Sequence, residues 1–152
     1  MSTHTAPAVT IHPKTGFPVE TVPTFEVGDL VTEAFMSDGY PGVVVAATAK
    51  TVYVRRVRFI GNFKADDAPG YNGYGDSGTI TVDPESVTEA VAAGKDGATK
   101  YVLRVNRHTT SGSFADEEKY GSRQYHRAGF RLPNSSAGSL RKGASYRQDP
   151  HI

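Results

Sequence analysis

Lys50-Thr51-Val52-Tyr53-Val54-Arg55-Arg56-Val57-Arg58-Phe59-Ile60 alternates apolar and polar side chains more clearly than any other stretch of the chain. Successive side chains leave a strand on opposite faces, so a period of two marks a strand with one face toward a core. Upstream, Gly42 to Thr48 is small and β-branched, as in a strand buried on both faces, and Val27 to Val31 reads as another strand entered through a turn. Ser37 to Gly42 is dense in turn residues, so the three strands are expected to form a meander. Downstream, Thr79 to Val82 returns to strand. Asp83-Pro84-Glu85 then supplies an N-cap, a proline at the first helical position and an acid in the first turn, predicting a short helix over Ser86 to Ala93 that Gly94 stops. Lys100 to Arg107 and Gln124 to Leu132 alternate again, and the latter is expected to close the sheet. Phe114 to Tyr120 reads equally as a helix or a hairpin arm, Ser135 to Lys142 as a loop, and Asn62 to Gly78 as a long Gly/Tyr/Asp loop able to act as a lid. The expected class is mainly β, an antiparallel sheet or small barrel-like meander with one or two short helices.

The chain has 152 residues, enough for one domain, and 16 Gly with 9 Pro argue for many turns and against long helices. Residues 1–24 hold four prolines and small polar residues and read as a flexible arm; residues 25–152 read as one β-rich domain. No cysteine is present, which excludes a disulfide framework and a thiolate metal site. The N-terminus shows no apolar run after a basic start, so no signal peptide is expected. Val43 to Ala47, the longest apolar stretch, is too short to span a bilayer, so no membrane partner is expected.

Net charge is only +1, yet Lys119, Arg123, Arg127, Arg131, Arg141, Lys142 and Arg147 face a single acid, Asp149, in the last third of the chain. Tyr120, Tyr125, Phe130 and Tyr146 are interleaved with them. A localised cationic field attracts phosphates, and aromatic rings offer surfaces on which bases stack. On the strand above, Arg56 and Arg58 are expected on one face, about 7 Å apart, a spacing that brackets a phosphate. Arg104 and Asn106 form a second pair; guanidinium binds phosphate bidentately, and Asn can read an adenine edge. The competing reading of these arginines is a solvated sheet face carrying cross-strand ion pairs to acids such as Glu33.

Other motifs carry less. Gly73-Tyr74-Gly75-Asp76-Ser77-Gly78 fits GxGxxG, but the strand-prone Thr79 to Val82 follows it where a dinucleotide site needs a helix N-terminus. Gly75 to Gly78 also echoes a serine-protease nucleophile site, on a chain too short for that fold and with no placed base. His4, His12, His108, His126 and His151 lack ligand spacing, and Asp66-Asp67 and Asp116-Glu117-Glu118 read as solvated turns. No catalytic constellation emerges, so a binder without cofactor or metal is expected rather than an enzyme.

Two stretches carry a resemblance. The first is Val27-Gly28-Asp29, Ser37-Asp38-Gly39-Tyr40-Pro41, Val43-Val44-Val45 and Lys50 to Arg56. The second is Tyr101 to Asn106, Gly138 to Gly143 and the ending Tyr146-Arg147-Gln148-Asp149-Pro150-His151-Ile152. Together they resemble the small β-rich Thoeris anti-defence proteins, with which phages sequester cyclic ADP-ribose signals. The resemblance implies a non-enzymatic homo-oligomer in the host cytoplasm that binds a small cyclic nucleotide in pockets lined by aromatics, Arg and Asn, and so inhibits bacterial defence. Residues expected at the ligand are Tyr40, Arg56, Arg58, Tyr74, Arg104, Asn106, Arg123, Tyr125 and Arg127. The residues alone leave two alternatives open: a small β-barrel nucleic-acid binder, and a phage virion accessory protein assembling through its arm and basic tail.

Overall fold

The computed structural model describes residues 10–36, 38–63, 78–109, 118, 124–135 and 138–147. Its elements are β1 (Thr10–Ile11), β2 (Pro18–Val19), β3 (Leu30–Phe35), β4 (Asp38–Ala47), β5 (Thr51–Arg56), β6 (Phe59–Phe63), β7 (Gly78–Val82), α1 (Pro84–Ala93), β8 (Thr99–Thr109), β9 (Gln124–Arg131) and β10 (Gly138–Lys142). The protein is mainly β, as expected. Six strands pair in the order β9-β10-β3-β4-β5-β8, and a β9–β8 pairing joins the ends into a small antiparallel barrel; β6 and β7 form a separate two-stranded sheet. Contacts divide the chain into two units, Met1–Pro23 with Arg104–Gly129, and Thr24–Leu103 with Phe130–Ile152.

In the larger unit the expected β3-β4-β5 meander is present, with Glu33 opposite Tyr40, Val31 opposite Gly42, and Gly42 opposite Arg56. The first turn lies upstream of the turn-rich run: Phe35 pairs with Asp38, and Met36 takes φ 53. Asp38 to Pro41 are therefore strand residues, because pairing with β3 outweighs their turn propensity. Along β4 the valines divide between two cores. Val44 packs with Val31, Val52, Val54, Tyr101 and Phe130. Val43 and Val45 pack with Val57 and Ala90, where Val87 and Val91 of α1 join them. Each buried valine contributes about 1.5–3 kcal/mol, so the near-continuous apolar run of β4 is what anchors the helix to the sheet.

That helix begins where the sequence places it. Asp83 accepts a hydrogen bond from the Glu85 amide at 3.0 Å, Pro84 fills the first turn, and Gly94 (φ 72) ends it. Gly138 to Lys142, by contrast, is a strand and not a loop: it pairs with Val31 to Phe35 of β3 and, at Ser139, with Arg131 of β9. Leu140 points into the core, and Gly138 is small because a Cβ there would lie 2.5 Å from Leu132 Cδ1.

In the smaller unit, residues 10–19 of the expected arm form a hairpin, and Val19 of β2 pairs in parallel with His126 of β9. The His12 and His126 rings stack at 4.3 Å, and His126 Nε2 lies 2.7 Å from Thr15 Oγ1. The amides of Phe17 and Lys14 turn back onto Thr15 Oγ1 and His12 Nδ1, closing the loop on itself.

Candidate functional site

Glu33 lies at inward parity with Val31 on β3, so the register drives a carboxylate into an apolar interior, where it is only 2% exposed. A charge so placed is costly unless every lone pair finds a donor. Tyr101 of β8, itself fully buried, donates its hydroxyl to Oε1 at 2.8 Å, and Arg56 of β5 donates Nε to Oε2 at 2.8 Å. Burial first, then the charge of Glu33 and its hydrogen bond, hold the Tyr101 phenol well above its ordinary value. The phenol is therefore held in its protonated, donating form.

Arg56 reaches Glu33 on the diagonal across Gly42, which pairs with Val31 on one side and with Arg56 on the other. Its guanidinium lies 4.0 Å from the Tyr40 ring centroid and 6.0 Å from that of Phe35. The side chain nonetheless stays 54% exposed. Among the described residues Nη1 and Nη2 donate to no protein group, since Nε makes the single hydrogen bond of this side chain. More rings follow. Tyr40 meets Tyr146 edge-on at 5.9 Å, and Tyr146 meets Phe59 at 4.9 Å. Tyr146 is delivered by the segment after β10: Gly39 and Arg147 form an antiparallel bridge with mutual amide-to-carbonyl hydrogen bonds of 2.7 and 2.8 Å. The site is thus a cation whose rear is tied to a buried acid, whose face rests on a ring, and whose front two nitrogens look outward.

The expected Arg56/Arg58 pair does not form. β5 ends at Arg56, and Arg58 turns to α1, where it binds Asp83 at 3.2 Å and Glu89 at 3.1 Å. Its hydrogen bonds to Glu89 and then to Asp83 raise its already high pKa. Arg55, on the opposite face from Arg56, donates Nε to Gly94 O at 2.8 Å and Nη2 to Asp96 O. An open groove of about 540 Å³ runs between β5 and α1, lined in part by Arg55, Arg58, Ser86 and Glu89. Arg55 and Arg58 are engaged there, and Arg56, which also lines this groove, is the one of the three whose terminal nitrogens are unclaimed among the described residues.

The remaining expected residues fall elsewhere. Arg104 and Asn106 are exposed on the part of β8 that belongs to the smaller unit. Tyr125, in that same unit, is fully buried; its hydroxyl accepts from Arg127 Nη2 at 2.9 Å, and Arg127 Nε lies 3.6 Å from Glu20. Tyr125 is therefore a packed core ring and not a stacking platform. Tyr74 and Arg123, like the Asn62 to Gly78 loop between Lys64 and Ser77, lie outside the described residues. Among the described residues no three His, Asp or Glu side chains converge as a metal site, and no helix is long and apolar enough to cross a membrane.

Sequence reasoning placed Tyr40 and Arg56 at the site and named Glu33 as a partner for these arginines, but it did not find Phe35, Phe59, Tyr101 or Tyr146 there. The available signal was Glu33 itself: a lone acid at inward parity in Leu30-Val31-Thr32-Glu33-Ala34-Phe35 must have buried donors. Comparison with family models, curated proteins and solved structures gave no match.

Proposed function

We propose that the protein binds a small nucleotide without chemically altering it, Arg56 holding a phosphate and Tyr40 with its neighbouring rings receiving the base. The carrying observation is the Arg56 guanidinium, fixed by Glu33 at 2.8 Å and by Tyr40 at 4.0 Å with both terminal nitrogens unclaimed among the described residues. A fork held in place before the ligand arrives loses little entropy on binding, and its two parallel N–H donors match two phosphate oxygens. Tyr40 at 4.0 Å and Phe35 at 6.0 Å from that fork, with Tyr146 and Phe59 packed beyond Tyr40, supply the flat apolar surface that a base requires. In the form suggested by the resemblance, the ligand is a cyclic nucleotide signal of the cyclic ADP-ribose type, and a homo-oligomeric phage protein withdraws it from a bacterial defence system.

The test is thermal unfolding with cyclic ADP-ribose isomers, cyclic oligonucleotides and short single-stranded DNA. A ligand at 100 times its Kd stabilises by about 2.7 kcal/mol, a readily measured rise in midpoint. One small nucleotide should raise the midpoint, be recovered chemically unchanged, and lose its effect on Arg56→Ala and Tyr40→Ala. A response to DNA alone, steeply weakened by salt, would replace this reading with nucleic-acid binding. Sedimentation with and without that nucleotide reports the assembly state.

A further inference from the structure

If Arg56 holds the phosphate of a nucleotide, its surroundings also constrain the charge of that phosphate, an inference that rests on the proposed nucleotide binding. Arg56 is not a bare cation: the carboxylate of Glu33 lies 2.8 Å from its Nε and is 2% exposed. Poorly screened at that depth, Glu33 cancels most of the positive charge that a ligand meets at Nη1 and Nη2. Among the described residues, the two arginines nearest to it in sequence are already engaged. Arg58 faces two carboxylates, Asp83 at 3.2 Å and Glu89 at 3.1 Å, and Arg55 on the opposite face is bound to the carbonyls of Gly94 and Asp96.

The site therefore offers a geometric fork for two oxygens with little net charge behind it. A phosphodiester presents two equivalent oxygens sharing one negative charge, which suits that fork. A terminal monoester above its second pKa, about 6, carries a further charge. That charge must lose its water without gaining a counter-ion. We infer that Glu33 is a specificity-determining residue, which makes the Arg56 site select singly charged, diester-type phosphate over doubly charged terminal phosphate.

Adenosine 5′-monophosphate and its methyl ester share base and sugar and differ in that one charge; methyl phosphate and dimethyl phosphate are the corresponding pair without a base. Calorimetric titration of the full chain at pH 7.5 should show the adenosine ester binding about tenfold more tightly than the monoester. The gap should close toward parity at pH 5.5, because the singly charged fraction of the monoester rises from about 3% to about 75% for a second pKa near 6. Glu33→Gln, which keeps the shape and removes the charge, should abolish the preference at pH 7.5. Tyr53→Phe, which touches neither Glu33 nor Arg56 and whose hydroxyl has no hydrogen-bond partner among the described residues, should retain the preference. Discrimination in the baseless pair would place selectivity at the phosphate itself. Equal or tighter monoester binding at pH 7.5, lost in Arg56→Ala, overturns the selectivity and leaves nucleotide binding intact. Binding of neither ester nor acid overturns both.

Discussion

Tyr101→Phe isolates one oxygen in the network beneath Arg56. The ring sits fully buried among Val31, Val44, Val52 and Val54, and phenylalanine retains that packing. What disappears is the 2.8 Å donation to a carboxylate that is 2% exposed. A hydrogen bond to a charged group contributes about 1.5–3 kcal/mol. The link to Arg56 is already made in the parent, on the other carboxylate oxygen, and so cannot replace the donor lost at Oε1. The expected loss is about 2 kcal/mol. For a chain of this length that lowers Tm by roughly 4–8 °C, and it brings the urea midpoint down by about 1 M with an unchanged slope. Tyr53→Phe is the control, since its hydroxyl has no hydrogen-bond partner among the described residues; it should change stability by less than about 0.5 kcal/mol. A Tyr101→Phe midpoint indistinguishable from that of the parent would show that Glu33 does not depend on this donor, and would undo the account of how Arg56 is held.

Asp83→Ala removes the cap of α1 and one of the two acids on Arg58, so unfolding should be easier by about 1 kcal/mol, read from the thermal midpoint. Gly42→Ala places a Cβ 2.8 Å from Val54 Cγ1 and 3.0 Å from Arg55 O, between two paired strands; chemical denaturation should register a loss of about 1–3 kcal/mol. His126 is held below the ordinary imidazole value, first by burial and then by His12 and Arg107. The unfolded chain therefore takes up a proton at a pH where the folded chain does not, and stability falls as pH drops below about 6.5 and is regained above it. Amide exchange in residues 10–20, corrected for intrinsic rates, should accelerate from pH 7.5 to 5.5 and lose that dependence in His126→Asn; equal protection at both values would contradict this.

The parts of the fold that were legible in the sequence are those in which local chemistry and tertiary structure agree. Val52 and Val54 alternate with Tyr53 and Arg55 and form β5, and Asp83-Pro84 starts a helix because cap and proline act on their own backbone. Misreadings came where distant pairing decided the outcome. Asp38-Gly39-Tyr40-Pro41 has turn composition but is held extended by Thr32 to Phe35, and Gly138 to Lys142 has a single inward apolar residue, Leu140. At the site, residue type indicated Arg56, while Tyr40 entered only through the resemblance. Their convergence with Tyr101 and Tyr146 depends on register and on the Gly39–Arg147 bridge, which no local pattern encodes. Arg58 was misplaced because alternation was carried past the end of β5, where the acids of α1 take over.

The position of β10 has a consequence for how the protein is made. It fills the edge of β3, and Thr32 Oγ1 donates to Gly143 O at 2.6 Å across 111 positions of sequence. A ribosome emits β3, β4 and β5 long before β10 emerges. At about 5–20 residues per second, the meander spends several seconds with the β3 edge open and Glu33 lacking Tyr101. An unpaired edge is a template for another chain. Nascent-chain crowding on a polysome should therefore favour pairing between neighbouring copies at β3, and slower delivery of the last strand should lower the soluble yield even though the finished protein is unchanged.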